Sequence, residues 1–169
     1  PSNKKSPAVL AAYAEQIANE GSDRLHTKVL HKKEIEEQGF HGLLAVNQAS
    51  PAPPVFIKME YRSNHTDSKH IGIVGKGVTF DTGGISLKRS SNLHLMKSDM
   101  GGGAAVLGLM RLVDQLQLDI NLTGIVPATD NSIGQNAIKP SDVISSYSGK
   151  TIEIIDTDAE GRLLLADGL

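Results

Sequence analysis

Apolar positions along the chain fall into two periods, and together they predict strands alternating with helices. Ser6-Pro7 suits a helix start, with serine as cap and proline at the first helical position; helix formers run to Glu20 and Gly21 stops them. Leu25 to Leu30 reads as a short strand, and Lys32 to Glu37 as a charged helical turn ended by Gly39, its charges facing solvent. Pro51-Ala52-Pro53-Pro54 marks a loop before the strand Val55 to Tyr61. The polar stretch Arg62 to Lys69 predicts a turn, and His70 to Val74 the next strand. Gly75 to Gly84 is glycine-rich, with four glycines in ten residues. Leu93 to Leu116 predicts one long helix, whose Gly101-Gly102-Gly103 and Ala104-Ala105 suit close packing. Asn121 to Ala128 reads as a buried strand, followed by a polar loop to Pro140. Asp142 to Tyr147 and Thr151 to Ile155 flank Ser148-Gly149-Lys150 as a hairpin. The expected fold class is α/β, a central mixed β-sheet flanked by helices.

Composition narrows the function classes. The 169 residues suffice for one domain with a real core. No cysteine is present, which excludes thiolate metal sites, disulfides and cysteine nucleophiles and fits a cytoplasmic setting and a secreted domain without disulfides equally well. Seventeen basic residues against nineteen acids offer no electrostatic case for nucleic acid. No apolar run approaches the roughly 20 residues that span a bilayer, so a membrane role is not expected. The start lacks an initiator methionine, and the last residues, Leu163 to Leu169, lie in an apolar helix-favouring run without a stop signal. A piece of a longer protein is the expectation.

Charge is most concentrated at Asp156-Thr157-Asp158-Ala159-Glu160-Gly161-Arg162-Leu163, directly after the strand-like Thr151 to Ile155. Carboxylates so close repel, and one arginine cannot balance three acids if the fold buries them. A metal ion is the leading candidate for the missing positive charge. Two further segments bear chemistry, Gly75 to Lys88 after a strand and Met96 to Gly103 with an acid beside a glycine run. The first has the flavour of a phosphate-binding loop, but lacks the glycine spacing and the Lys-Ser/Thr pair. Taken singly, the residues have plainer readings. Asp99, Asp158 and Glu160 suit helix caps, Asp81 a turn before Gly83-Gly84, and Lys76 and Lys88 the surface. The six histidines, at 26, 31, 41, 65, 70 and 94, have no ligand spacing.

Read jointly, Val74 to Lys88, Lys97-Ser98-Asp99-Met100-Gly101-Gly102 and Thr157 to Leu163 resemble the leucyl aminopeptidase family of two-metal exopeptidases. Gly42 to Ser50 resembles a further family segment, more weakly. The resemblance implies that residues 1–169 form the N-terminal part of a catalytic domain, without the family's separate N-terminal domain and the remainder of the catalytic domain. It implies a metal-dependent aminopeptidase that releases the N-terminal residue, leucine-like by preference, from peptides with a free amino end, using a water activated by two metals. The metal ligands would be Lys76, Asp81, Asp99, Asp158 and Glu160, with Asp81 and Glu160 bridging. Lys76 could bind only as the neutral amine. Lys88 would polarise the scissile carbonyl, and Arg162 would hold a bicarbonate ion serving as general base. Met96 would line the pocket for the first side chain. Zn²⁺ or Mn²⁺, with Co²⁺ or Mg²⁺ also suited, is the expected cofactor. A homo-hexamer and a cytoplasmic location follow from the same resemblance. The alternative is a non-catalytic metal-binding fragment or homologue, its site structural or empty.

Three departures from the family pattern stand out. Asp156 occupies a position that is usually asparagine. The stretch Thr129 to Lys139 differs most at Thr129-Asp130-Asn131-Ser132-Ile133-Gly134, where packing or oligomer contacts are expected to change more than chemistry. Ser141 replaces a common glycine, with no penalty expected.

Overall fold

A computed structural model of the chain describes residues 1–65 and 68–169. Helix α1 (Pro7–Glu20) and strand β1 (Leu25–His31) follow the sequence reading closely. Helix α2 (Lys32–Gln38) ends at Gly39, whose φ of 79° is left-handed. A short helix, α3 (His41–Asn47), comes next; at seven residues it is too brief for its periodicity to be legible. Its first turn is satisfied from elsewhere, since the Leu43 N–H donates to Asp167 Oδ2 at 2.8 Å.

The sheet is built on one long strand. Strands β2 (Val55–Tyr61), β3 (His70–Val74) and β4 (Gly77–Asp81) all pair with β5 (Asn121–Asn131). The order is β1-β2-β5-β3, with β4 on the same side of β5 as β3 but farther along it. β2 runs antiparallel to both of its neighbours, β1 and β5, whereas β3 and β4 run parallel to β5. The sheet is therefore mixed, as expected. Of the turn predicted for Arg62 to Lys69, residues 66 and 67 lie outside the described residues; the remainder forms no strand.

Two differences from the sequence reading create the site. The glycine-rich stretch is not all loop, because β4 forms within it. β3 and β4 are successive pieces lying along β5, interrupted only at Gly75-Lys76. In that interruption the Lys76 carbonyl accepts from the Gly103 N–H at 2.8 Å. A Cβ on Gly75 would stand 2.5 Å from the Gly102 carbonyl oxygen, so backbone meets backbone here without room for a side chain.

The second difference is that Leu93 to Leu116 is not one helix. A 3₁₀ turn spans Leu93–Ser98, and helix α4 spans Gly101–Gln115. The three glycines Gly101-Gly102-Gly103 fall inside α4, each costing the helix about 1 kcal/mol relative to alanine, and the break lies just before them. The break at Asp99-Met100 frees the Asp99 carboxylate to meet Lys76.

Both sheet faces are covered. Leu10 and Ala14 of α1, with Val106, Met110 and Val113 of α4, pack on Ile57, Met59, Leu122 and Val126. Ile35 of α2, Leu43 and Val46 of α3, and Leu164 of α5 (Glu160–Gly168) pack on Leu30, Phe56 and Val78 from the opposite side. Each such side chain, when fully buried, contributes about 1.5–3 kcal/mol. The hairpin forms as β6 (Val143–Ser145) and β7 (Thr151–Glu153), shorter than predicted. Ser141, just before it, has φ 76°, a left-handed conformation that explains why glycine suits this position. The expected absence of a penalty there is thus corrected.

Candidate metal centre

The acids and lysines singled out in the sequence converge at one place, where the parallel strands β4 and β5 end. Ligand sites of open α/β sheets lie outside such carboxyl ends. Asp81 closes β4, Lys76 stands in the interruption before it, and Lys88 follows on the connecting loop. Asp99 occupies the break before α4. Asp158 sits in a short 3₁₀ turn, Thr157–Ala159, and Glu160 begins α5. No two of these elements need be close in sequence, since the sheet brings them together.

Asp81, Asp158 and Glu160 each offer a carboxylate oxygen within 4.8 Å of the other two. Two lysines thread between the acids. Lys76 Nζ lies 2.7 Å from Asp99 Oδ2 and 2.5 Å from Glu160 Oε1. Lys88 Nζ lies 3.0 Å from Asp81 Oδ2 and 2.5 Å from Asp158 Oδ1. Four carboxylates thus face two ammonium groups, and negative charge is left over. Asp81 and Glu160 are each only 1% exposed, so solvent does little to screen that excess.

The titration directions follow from this crowding. Burial pushes the Glu160 carboxyl above its usual range, against the pull of Lys76 and with the Asp81 charge adding to the rise. Burial likewise raises Asp99, opposed by Lys76 and helped by Asp81. Burial disfavours the charged form of Lys76, but its close pairing with the Asp99 and Glu160 carboxylates outweighs that, and its pKa is raised. Lys88 is raised too; burial again works against the charge, and Asp158 and Asp81 overcome it.

Ion-pair distance is not the same as a satisfied oxygen. Asp99 Oδ2, Asp158 Oδ1 and both Glu160 carboxylate oxygens accept no well-directed hydrogen bond among the described residues, although lysine nitrogens stand close. Glu160 Oε2 has neither a donor nor a lysine beside it among the described residues, and a buried acceptor left so costs about 1–3 kcal/mol. Oxygens gathered this tightly, oriented inward and short of donors, suit hard divalent cations. The donor set therefore fits a metal.

Not every expected residue joins the cluster. Arg162 is exposed on the first turn of α5 and lines a shallow cavity with Ile152 to Asp156; it makes no ion pair among the described residues. Met96 is half-buried in the 3₁₀ turn before Asp99, and its carbonyl accepts the Asp99 N–H at 3.3 Å. Asp156 makes no ion pair with either lysine among the described residues. Its Oδ1 accepts the Asp158 N–H at 2.9 Å as the cap of the 3₁₀ turn. That bond, helped by Ser86, holds its carboxyl below the usual range. An asparagine oxygen accepts the same N–H, which accounts for the interchange at this position.

Sequence reasoning missed the residues that hold the clustered acids in place. Thr157 Oγ1 donates to the Gly83 carbonyl at 2.7 Å and accepts from the Ser86 N–H at 2.8 Å, tying the loop after β4 to the segment bearing Asp158 and Glu160. Asn131 Nδ2 donates to Asp81 Oδ1 at 2.8 Å and to the Thr157 carbonyl at 3.1 Å. The divergent stretch beginning at Thr129 thus touches the site directly, contrary to the expectation of packing or oligomer contacts. The signal lay in β5 running three residues beyond Ala128, which puts Asn131 opposite Asp81.

Known proteins resemble this chain in sequence and in fold. The model of the cytosol aminopeptidase family, catalytic domain, matches residues 1–169. Over the whole chain, a "Probable cytosol aminopeptidase" of Bacillus licheniformis is 52% identical and one of Bacillus subtilis 50%. The match covers 34% and 33% of those proteins, so the chain spans about a third of the length of the curated relatives it matches. A crystal structure of the cytosol aminopeptidase from Coxiella burnetii superposes with a TM-score of 0.91 at 37% identity. It covers 99% of this chain, which in turn covers 35% of it.

Proposed function

Because the chain belongs to the cytosol aminopeptidase family, we propose that the full-length protein is a metal-dependent aminopeptidase, releasing leucine-like residues from the free amino end of peptides. The observation that carries this reading is the trio of carboxylate oxygens from Asp81, Asp158 and Glu160 within 4.8 Å of one another, two of the three residues buried, beside two lysines. Asp81, Asp99, Asp158 and Glu160 would hold two divalent cations, with Lys76 as the one nitrogen donor. Zn²⁺ and Mn²⁺ suit that set, and Co²⁺ and Mg²⁺ fit it chemically. Bound there, the cations would neutralise the acids, act as Lewis acids on a peptide carbonyl and make a water ionise near neutral pH. For Lys76 to serve, the dications would have to displace the proton that Asp99 and Glu160 favour.

Lys88 stays charged and would stabilise the developing oxyanion of the scissile carbonyl, exchanging one of its two carboxylate partners for it. Arg162 presents a planar fork free of acidic partners among the described residues, which suits a planar oxyanion such as bicarbonate. Bicarbonate held there would act as general base, consistent with the absence of histidine from the cluster. Met96 would offer a soft apolar wall to the leading side chain. A cytoplasmic location and assembly into hexamers are part of the same reading; the relatives are named cytosol aminopeptidases, and among the described residues no helix is long and apolar enough to cross a membrane.

The test is a pair of substitutions in the full-length protein, Lys88→Ala and Arg162→Ala, assayed on a leucyl anilide. The kcat of Lys88→Ala should fall about 10²–10³-fold, as on loss of one oxyanion donor, while metal content changes little. Full turnover by either variant would show that its assigned role is wrong. Metal binding without any hydrolysis by the parent protein would favour a non-catalytic, structural site.

A further inference from the structure

Asn131 is 3% exposed, yet its side chain does not face the apolar core. Its amide nitrogen reaches two acceptors on separate segments, Asp81 Oδ1 at 2.8 Å and the Thr157 carbonyl at 3.1 Å. Its own carbonyl receives the Thr82 N–H at 2.9 Å and the Thr82 hydroxyl at 2.8 Å, so the strand end is anchored before the side chain acts. Asp81 Oδ1 also accepts the Gly83 N–H at 2.8 Å. Two donors on one oxygen fix the rotation of the carboxylate and leave Oδ2 as the oxygen beside Lys88. The second bond holds Thr157, which directly precedes Asp158 and lies three residues before Glu160. Among common side chains, only a short primary amide has two N–H groups to serve both acceptors from this position. A carboxylate would repel Asp81, and an apolar group would strand both acceptors.

We propose that Asn131 is a positioning residue of the metal centre, setting which oxygen of Asp81 is available and holding the Asp158–Glu160 segment at one distance from it. The inference rests on the metal reading above and assigns to Asn131 a part that neither ligation nor core packing requires.

Co²⁺ titration of the chelated full-length protein, followed by its visible d–d bands and by calorimetry, separates the possibilities. The parent should bind Co²⁺ with a defined spectrum. Asn131→Ala, with the circular dichroism of the parent, should bind about 10–100-fold more weakly, the usual cost of losing a partner behind a metal ligand. Its d–d bands should also shift, which a change in stability alone would not produce at temperatures well below unfolding. Affinity within twofold of the parent and a superimposable spectrum would overturn the proposal. Should Asn131→Ala fail to fold, Asn131→Thr, a good strand former with a single donor, is judged by the same two thresholds. Failure of the parent itself to bind Co²⁺ would overturn the metal reading, and this inference with it.

Discussion

Replacing Gly161 by alanine adds one methyl group to the first turn of α5, at the point where Lys76 crosses it. The new Cβ would stand 2.8 Å from Lys76 Cδ, 3.2 Å from Cε and 3.3 Å from Nζ. Non-bonded carbons prefer about 3.5–4.0 Å, so the lysine must retreat by roughly 1 Å. It can, because the clash is with the far part of a flexible chain and not with backbone. The retreat moves Nζ off Glu160 and Asp99, now 2.5 and 2.7 Å away. A misplacement of about 1 Å in a catalytic constellation costs on the order of 10²-fold in rate. The helix itself gains, since alanine is favoured over glycine by up to about 1 kcal/mol in a helix. The expected signature is therefore a protein of parental or slightly higher urea stability when chelated, with kcat on a leucyl anilide lowered about 10²-fold and weaker metal binding. Parental kcat and metal affinity would refute the claim that Lys76 must lie against Gly161. A stability loss above about 2 kcal/mol would refute the claim that the side chain absorbs the clash.

Away from the centre, Asp167 is 4% exposed; its Oδ2 accepts the Leu43 N–H, while Oδ1 has no partner among the described residues. Burial raises its pKa above the ordinary 3.8, against the pull of backbone N–H groups. The folded state then binds the proton more tightly than the unfolded state, so this stability contribution is full below the unfolded value and is lost as pH rises through the folded one. Asp167→Asn keeps an acceptor for Leu43 and carries no charge. Urea melts should show it about 1 kcal/mol more stable than the parent near pH 7, the difference vanishing towards pH 4; a difference independent of pH would contradict the titration. Ser141→Gly relieves the left-handed φ of 76° and should raise stability by about 0.5–1 kcal/mol, read as a higher urea midpoint at unchanged slope. An unchanged midpoint would mean that the serine backbone is not strained there.

Much of this molecule was legible before any coordinates. Strands β1, β2, β3 and β5 and helix α1 are long enough to show their period and are bounded by proline, glycine or polar turns. The acids and lysines of the centre were legible as a joint pattern, because no fold buries so many carboxylates without cations nearby. What escaped depends on tertiary pairing. β4 hides in a glycine-rich stretch because only Val78-Thr79-Phe80 favour a strand there, too short a run to stand out without its pairing to β5. The break at Asp99 looks helical locally, and only Lys76 and the close approach of Gly75 to Gly102 show why the chain stops there. Asn131 carries no local mark at all, for its role exists only once β5 sets it opposite Asp81. Arg162 is recognisable in sequence but makes no ion pair with the acids among the described residues, so the role proposed for it would need an anion between them.

The central claim is that the carboxylates ending β4 and beginning α5 hold metal for peptide hydrolysis. The most direct test strips the full-length protein with chelator, then titrates Zn²⁺ or Mn²⁺ while following bound metal and leucyl anilide cleavage together. The account predicts no cleavage after chelation, and recovery that rises to saturation as two ions bind per chain. Cleavage that persists without metal, or saturating metal binding that restores none, would contradict it.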